Sequence, residues 1–156
     1  MNILFFILPK DKIHFVYDSY TLRQTIEKLD NAGYTSLPVL NNKGEYLFTI
    51  TEGDVLRYIK HNENMSLRNA EKIPLRSIPI KRDVKSIKIY ANMEDLIQIS
   101  LGQNFVPVVD DMNHFIGIIT RQSIINHFLT NIKEKELSRV WKNYHLLTKL
   151  VKKLII

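Results

Sequence analysis

The chain has 156 residues, 45% hydrophobic and 24% charged, a length and balance that fit one globular domain or two small modules sharing a core. It contains no cysteine, which excludes disulfides and thiolate-metal sites. The net charge of +6 is uneven: residues 131–156 carry +5 and the first 130 residues only +1, so the globular part is no general polyanion binder and no nucleic-acid partner is expected for it.

Residues 3–8 form a run of six apolar side chains. The run is too short to cross a bilayer and no basic segment precedes it, so it reads as a buried strand or a first helical turn, not a targeting signal. Together with the lack of cysteine this is compatible with a cytoplasmic protein. Residues 10–16 lead into a short strand. Asp18-Ser19 is positioned to cap the next helix, in which Leu22, Ile26 and Leu29 recur at helical spacing, and Gly33 closes that helix as a left-handed cap. Residues 37–40 and 47–51 are apolar strands joined by a turn containing Asn41, Asn42 and Gly44, which predicts a hairpin. A second helix follows through Val55, Leu56 and Ile59.

Residues 66–79 are a connector interrupted by Pro74 and Pro79, too short to let two modules move as beads on a string. A second module begins near Lys81, with a weakly periodic helix (Met93, Leu96, Ile97, Ser100, Leu101). A second hairpin follows, with Asp110, Asp111 and Asn113 in its turn. The hairpins repeat: residues 33–54, GYTSLPVLNNKGEYLFTITEGD, return as residues 102–123, GQNFVPVVDDMNHFIGIITRQS, at an offset of 69 with no gap. That period is too long for a solenoid unit and suggests two paired modules. In the tail, Leu137, Val140, Tyr144, Leu147, Val151 and Leu154 form a heptad seam. Such a helix can dock on its own domain or a second copy, or lie as a basic helix in weak contact with a membrane surface. The expected division is residues 1–65 for the first module, 66–130 for connector and second module, and 131–156 for a basic C-terminal helix.

Catalytic and metal chemistry have no foothold. His14, His61, His114, His127 and His145 lack metal-ligand spacing, and Asp110-Asp111 sits where a turn wants acids anyway. Neither a glycine-rich phosphate loop nor a G-x-S-x-G elbow occurs. No catalytic residue, metal or cofactor is expected, and the chain reads as a non-enzyme.

Leu37-Pro38-Val39 with Ile50-Thr51-Glu52-Gly53-Asp54, and Val106-Pro107-Val108 with Gly117-Ile118-Ile119-Thr120-Arg121-Gln122-Ser123, resemble the V-P-V, turn, G-I-V-T-x-x-D pattern of CBS domains. Tandem pairs of these form the unit called a Bateman module. The resemblance spans residues 8–130. It implies an α+β fold of two β-α-β-β-α modules packed through their sheets, here with an added C-terminal amphipathic helix. Two positions depart from the pattern: Phe48 stands where Gly is usual, and Ser123 where Asp is usual. Asp11-Lys12-Ile13, the run from Gly33 to Val39, and Thr120-Arg121 are also similar to small stand-alone CBS proteins of Gram-positive bacteria that bind cyclic di-AMP.

This resemblance implies two clefts, each taking its adenine pocket from one module and its ribose and phosphate contacts from the other. It pairs Lys12, His14, Tyr34, Thr35 and Ser36 with Thr120, Arg121 and Ser123 as the nucleotide site. A second site pairs Thr51 and Asp54 with Asn104, Phe105 and Val106, with Lys81 and Arg82 nearby. A threonine just before a helix suits an anion, and Arg121 and Lys12 would neutralise phosphate. Asp54 could accept both hydroxyls of a free ribose. At the other cleft Ser123 removes that carboxylate, which suits a cyclic dinucleotide. The competing reading makes Ser123 the mark of an empty cleft and Arg121 a surface ion pair. The function implied is a non-enzymatic regulatory sensor that binds an adenine nucleotide, foremost cyclic di-AMP, in a cleft between the two modules and acts as a homodimer on a protein partner. An AMP- or ATP-binding CBS module is the first alternative. A ligand-free adaptor whose basic tail binds a membrane or nucleic acid is the second.

Overall fold

A computed structural model describes residues 2–62 and 65–154, with side chains to residue 143 and at residue 145. The chain divides into two compact units, residues 1–121 and 122–156.

The apolar run at the N-terminus splits into a 3-10 turn, Ile3–Phe6, and strand β1, Leu8–Pro9. After a second 3-10 turn, Lys10–Lys12, comes β2, Val16–Tyr17. Helix α1, Leu22–Ala32, buries Leu22, Thr25 and Leu29 on one face. Its cap is Thr21 and not Asp18-Ser19. Only Thr21 has a glutamine three residues on, and Thr21 and Gln24 close a reciprocal capping box. Asp18 and Ser19 instead occupy the turn closed by the Tyr20 N–H on the Tyr17 carbonyl. Gly33 ends α1 at φ +64°, a conformation glycine adopts without penalty. Strands β3, Ser36–Leu40, and β4, Tyr46–Thr51, pair antiparallel, β2 runs parallel to β3, and α2, Glu52–His61, follows at once.

The connector holds a short helix α3, Leu67–Ala70, and a 3-10 turn, Leu75–Ser77. It is no spacer: Ala70, Leu75 and Ile78 are buried in one cluster with Leu22, Leu29, Leu37, Val39 and Ile50. The Leu22 N–H donates to the Ile73 carbonyl and the Leu75 N–H to the Tyr20 carbonyl, which ties the connector to the start of α1. The second module repeats the order with β5, Ile87–Lys88, α4, Met93–Gly102, β6, Phe105–Val109, and β7, Phe115–Thr120. Its sheet gains a fourth strand because β1 crosses over to pair with β7, giving the order β1-β7-β6-β5 beside β2-β3-β4.

The repeat is exact in register. Ser36 opposes Thr51 as Phe105 opposes Thr120, and both hairpins carry an irregularity at the same place, Val39/Leu40 and Val108/Val109. The two turns then meet. The Tyr46 N–H donates to the Asn113 carbonyl at 3.0 Å and the Phe115 N–H to the Gly44 carbonyl at 2.9 Å, while Glu45 bridges His114. Each partner is the other's mate under the 69-residue shift, which is what a pseudo-twofold axis requires. Leu40, Tyr46, Val109 and Phe115 bury together on that axis, with the Tyr46 and Phe115 rings stacked at 6.2 Å.

The helix that closes the second module and the basic tail are one element, α5, Arg121–Leu154, unbroken at residue 131. Leu137, Val140 and Trp141 are exposed on it. The side chains of the remaining seam positions, Tyr144, Leu147, Val151 and Leu154, lie outside the described residues. Among the described residues no helix is long and apolar enough to cross a membrane.

Candidate functional site

Strand pairing decides which residues can share a cleft. Because Ser36 opposes Thr51, the start of β3 lies beside the N-cap of α2, and the Glu52 N–H donates to the Thr35 carbonyl at 3.0 Å. The mate contact, from the Arg121 N–H to the Asn104 carbonyl, is 2.8 Å. A cavity of about 560 Å³ opens at the first of these ends. Thr35, Ser36, Thr49 and Thr51 line it from the first module, Glu52, Gly53 and Arg57 from α2, Lys81, Arg82 and Val84 from the entry to the second module, and Gln103, Asn104 and Phe105 from the start of β6. It therefore unites Thr35 and Ser36 with Thr51, Asn104 and Phe105, which the sequence reading had divided between two clefts.

The floor is fixed by polar contacts. The Tyr46 hydroxyl lies 2.9 Å from Thr49 Oγ1 and donates to the Val84 carbonyl. Burial pushes that hydroxyl's pKa up to about 12, against the lowering effect of its bond to Thr49. Gln103 donates to the Lys85 and Phe105 carbonyls and accepts from the Lys85 N–H, pinning the second-module wall.

Asp54 does not face this cavity as expected. Its side chain is fully buried. Thr51 donates to Oδ2 from its hydroxyl at 2.6 Å and from its N–H at 3.1 Å, the Lys81 N–H donates to Oδ1 at 3.3 Å, and the Arg57 guanidinium forms an ion pair with Oδ1. Burial alone would raise the carboxyl's pKa, but the bonds from Thr51, Arg57 and Lys81 outweigh it and hold it below the usual value. Both oxygens are thus engaged, so Asp54 is not open to ribose hydroxyls in this state. The Thr51 hydroxyl is committed too, donating to Asp54 and accepting from the Asp54 N–H. Val106 is wholly buried in β6 and does not line the cavity.

The mate cleft is chemically different. Where the cavity has Thr49, Arg82 and Val84, the positions 69 residues away are Ile118, Ile13 and Phe15, and these pack on the apolar cluster at the axis. Lys12 and His14 are exposed, and the His14 ring sits 5.7 Å from that of Tyr34. Thr120 ends β7 opposite Phe105, and Ser123 lies in the first turn of α5. The Arg121 Nε donates to the Ser100 carbonyl at 2.9 Å and to the Gln103 carbonyl at 3.2 Å, and Arg82 donates to the Gly102 carbonyl. Both arginines satisfy carbonyls at the C-terminal end of α4, where cations are favoured. Sequence reasoning missed Arg57, whose signal was its place one helical turn after Asp54. Among the described residues no group of acids and histidines could hold a metal ion.

The CBS-domain model matches residues 7–61 and 75–130. The chain belongs to the CBS-domain family. This CBS pair is 28% identical over 144 residues to the uncharacterized protein MJ1225 of Methanocaldococcus jannaschii, a match covering 83% of this chain but only 50% of that relative, about half its length. In fold it is similar to the CbpB protein of Listeria monocytogenes solved in complex with c-di-AMP (TM-score 0.74, 22% identity, 84% of this chain and 97% of that one). It is also similar to CBSX2 solved in complex with AMP (TM-score 0.67, 21% identity, 83% and 96%).

Proposed function

We propose that the protein is a non-enzymatic sensor that binds an adenine nucleotide, foremost cyclic di-AMP, in the Lys81 cleft and signals to a protein partner. One observation carries the reading: a single cavity is lined by both members of two mate pairs, Thr35 with Asn104 and Ser36 with Phe105. A ligand with two bases and two phosphates can offer one base to each strand start. Lys81, Arg82 and Arg57 supply cations for its phosphates. The volume is that of an ordinary small-molecule site. The c-di-AMP bound by CbpB lends support, as a ligand of a CBS pair with this fold. AMP, the ligand in CBSX2, is the second reading, favoured by the presence of Asp54 beside the cleft.

Binding would shift a pre-existing equilibrium of the pair or of a homodimer, and that shift is the signal. With an adenine nucleotide as its ligand, the sensor is proposed to be cytoplasmic. The test is a thermal-shift panel of AMP, ADP, ATP, NAD, S-adenosylmethionine, cyclic di-AMP and cyclic di-GMP. A ligand at a hundredfold excess over its Kd adds about 2.7 kcal/mol of stability. Cyclic di-AMP is expected to give the largest shift. No shift from any of the seven would leave the adaptor reading, in which the basic tail does the binding.

A further inference from the structure

Asp54 is separated from the nucleotide cleft by Arg57 and Lys81, both of which line the cleft and a second cavity beside it. Arg57 lines the 560 Å³ cavity, and it also lines a second cavity of about 450 Å³ formed with Asp54, Tyr58, His61, Pro79 and Ile80. Asp54 lines only that second space. The guanidinium folds back over the first turn of α2: a Cβ built on Gly53 would meet Arg57 Nη1 at 3.1 Å and Nη2 at 3.5 Å. It therefore covers the helix start, where a phosphate would otherwise be favoured, and holds Asp54 Oδ1 at the same time.

We propose that Arg57 is the specificity-determining residue of the cleft, a latch that keeps Asp54 closed to ribose hydroxyls until a ligand phosphate draws the guanidinium away. This rests on the nucleotide-binding reading of the cleft. A nucleoside without phosphate has nothing to move the latch, so the parent protein rejects adenosine. AMP carries both the anion that releases Arg57 and the ribose diol that replaces it on Asp54. A cyclic dinucleotide has phosphate but lacks the free 3′-hydroxyl, so it draws on Arg57 and makes little use of Asp54.

Calorimetry with adenosine, AMP and cyclic di-AMP on the full chain tests the latch. In Arg57→Ala, adenosine binding is expected to tighten about tenfold or more, the scale of a hydrogen bond to a charged group, while cyclic di-AMP binding weakens. The Arg57→Ala/Asp54→Ala pair should lose the adenosine gain, which a merely structural role for Arg57 does not predict. Arg57→Lys, which keeps the cation with a single point of contact, should lie between parent and Arg57→Ala and serves if the alanine variant fails to fold. If the parent binds AMP or cyclic di-AMP and no Arg57 variant gains adenosine, the latch is overturned and the cleft stands. If neither parent nor variants bind any of the three, both are overturned.

Discussion

Gly117 and Phe48 occupy the same position in the two hairpins, and their neighbours explain why only one is glycine. A Cβ on Gly117 would stand 2.3 Å from the Leu8 carbonyl oxygen, because β1 lies against β7 there and Pro9 opposes Gly117. At Phe48 the strand β4 is the edge of its sheet, and the ring packs on the first module's core. The departure from the family pattern at Phe48 thus follows from the crossing of β1 to the other sheet. Gly117→Ala must displace β1 and should cost about 1–3 kcal/mol, the range for overpacking. Urea unfolding measures it, and a loss within the ±0.5 kcal/mol or so of a neutral surface change would deny that β1 presses on Gly117. At this scale the sequence named the right residue types more often than their roles. Asp54 was legible as an acid after a threonine, but not as a buried acid whose oxygens are taken by Thr51, Arg57 and Lys81. Arg121 was legible as a cation, but its bonds to the end of α4 depend on tertiary placement.

Among elements, the hairpins were legible because alternating patterns and turn residues act locally: Gly44 and Asn113, mates under the repeat, both take positive φ. The strand β1 was legible only as an apolar run, since its partner lies more than a hundred residues away in β7. The tail's helical period was plain, but its continuity with the helix after Thr120 was not, because nothing in a heptad count marks where an element begins. Every residue lining the cleft precedes α5. A chain ending at Thr130 should therefore stay folded and keep its nucleotide affinity, while losing any binding to anionic vesicles, since +5 of the +6 charge goes with the tail. Sedimentation of both chains would show whether α5 also sustains a dimer. Loss of nucleotide affinity on truncation would make α5 part of the site.

The whole molecule is a pseudo-symmetric pair in which symmetry of backbone carries asymmetry of chemistry. Mated main-chain bonds at Tyr46 and Phe115 fix the axis, while Thr49, Arg82 and Val84 in one cleft have Ile118, Ile13 and Phe15 as their mates in the other. The alternation of polar and apolar mates was present in the sequence, but without the register it could not be assigned to a cleft. Lys81 and Lys12 are themselves mates, both exposed, and neither ammonium is tied to a partner among the described residues. Only Lys81 lines the cavity. Titration calorimetry of cyclic di-AMP into Lys81→Ala and Lys12→Ala therefore tests the central claim with little risk to the fold. Loss of a charge-assisted contact should weaken Lys81→Ala about ten- to a hundredfold and leave Lys12→Ala within about twofold of the parent. A large loss in Lys12→Ala with none in Lys81→Ala would put the ligand in the mate cleft and contradict the account.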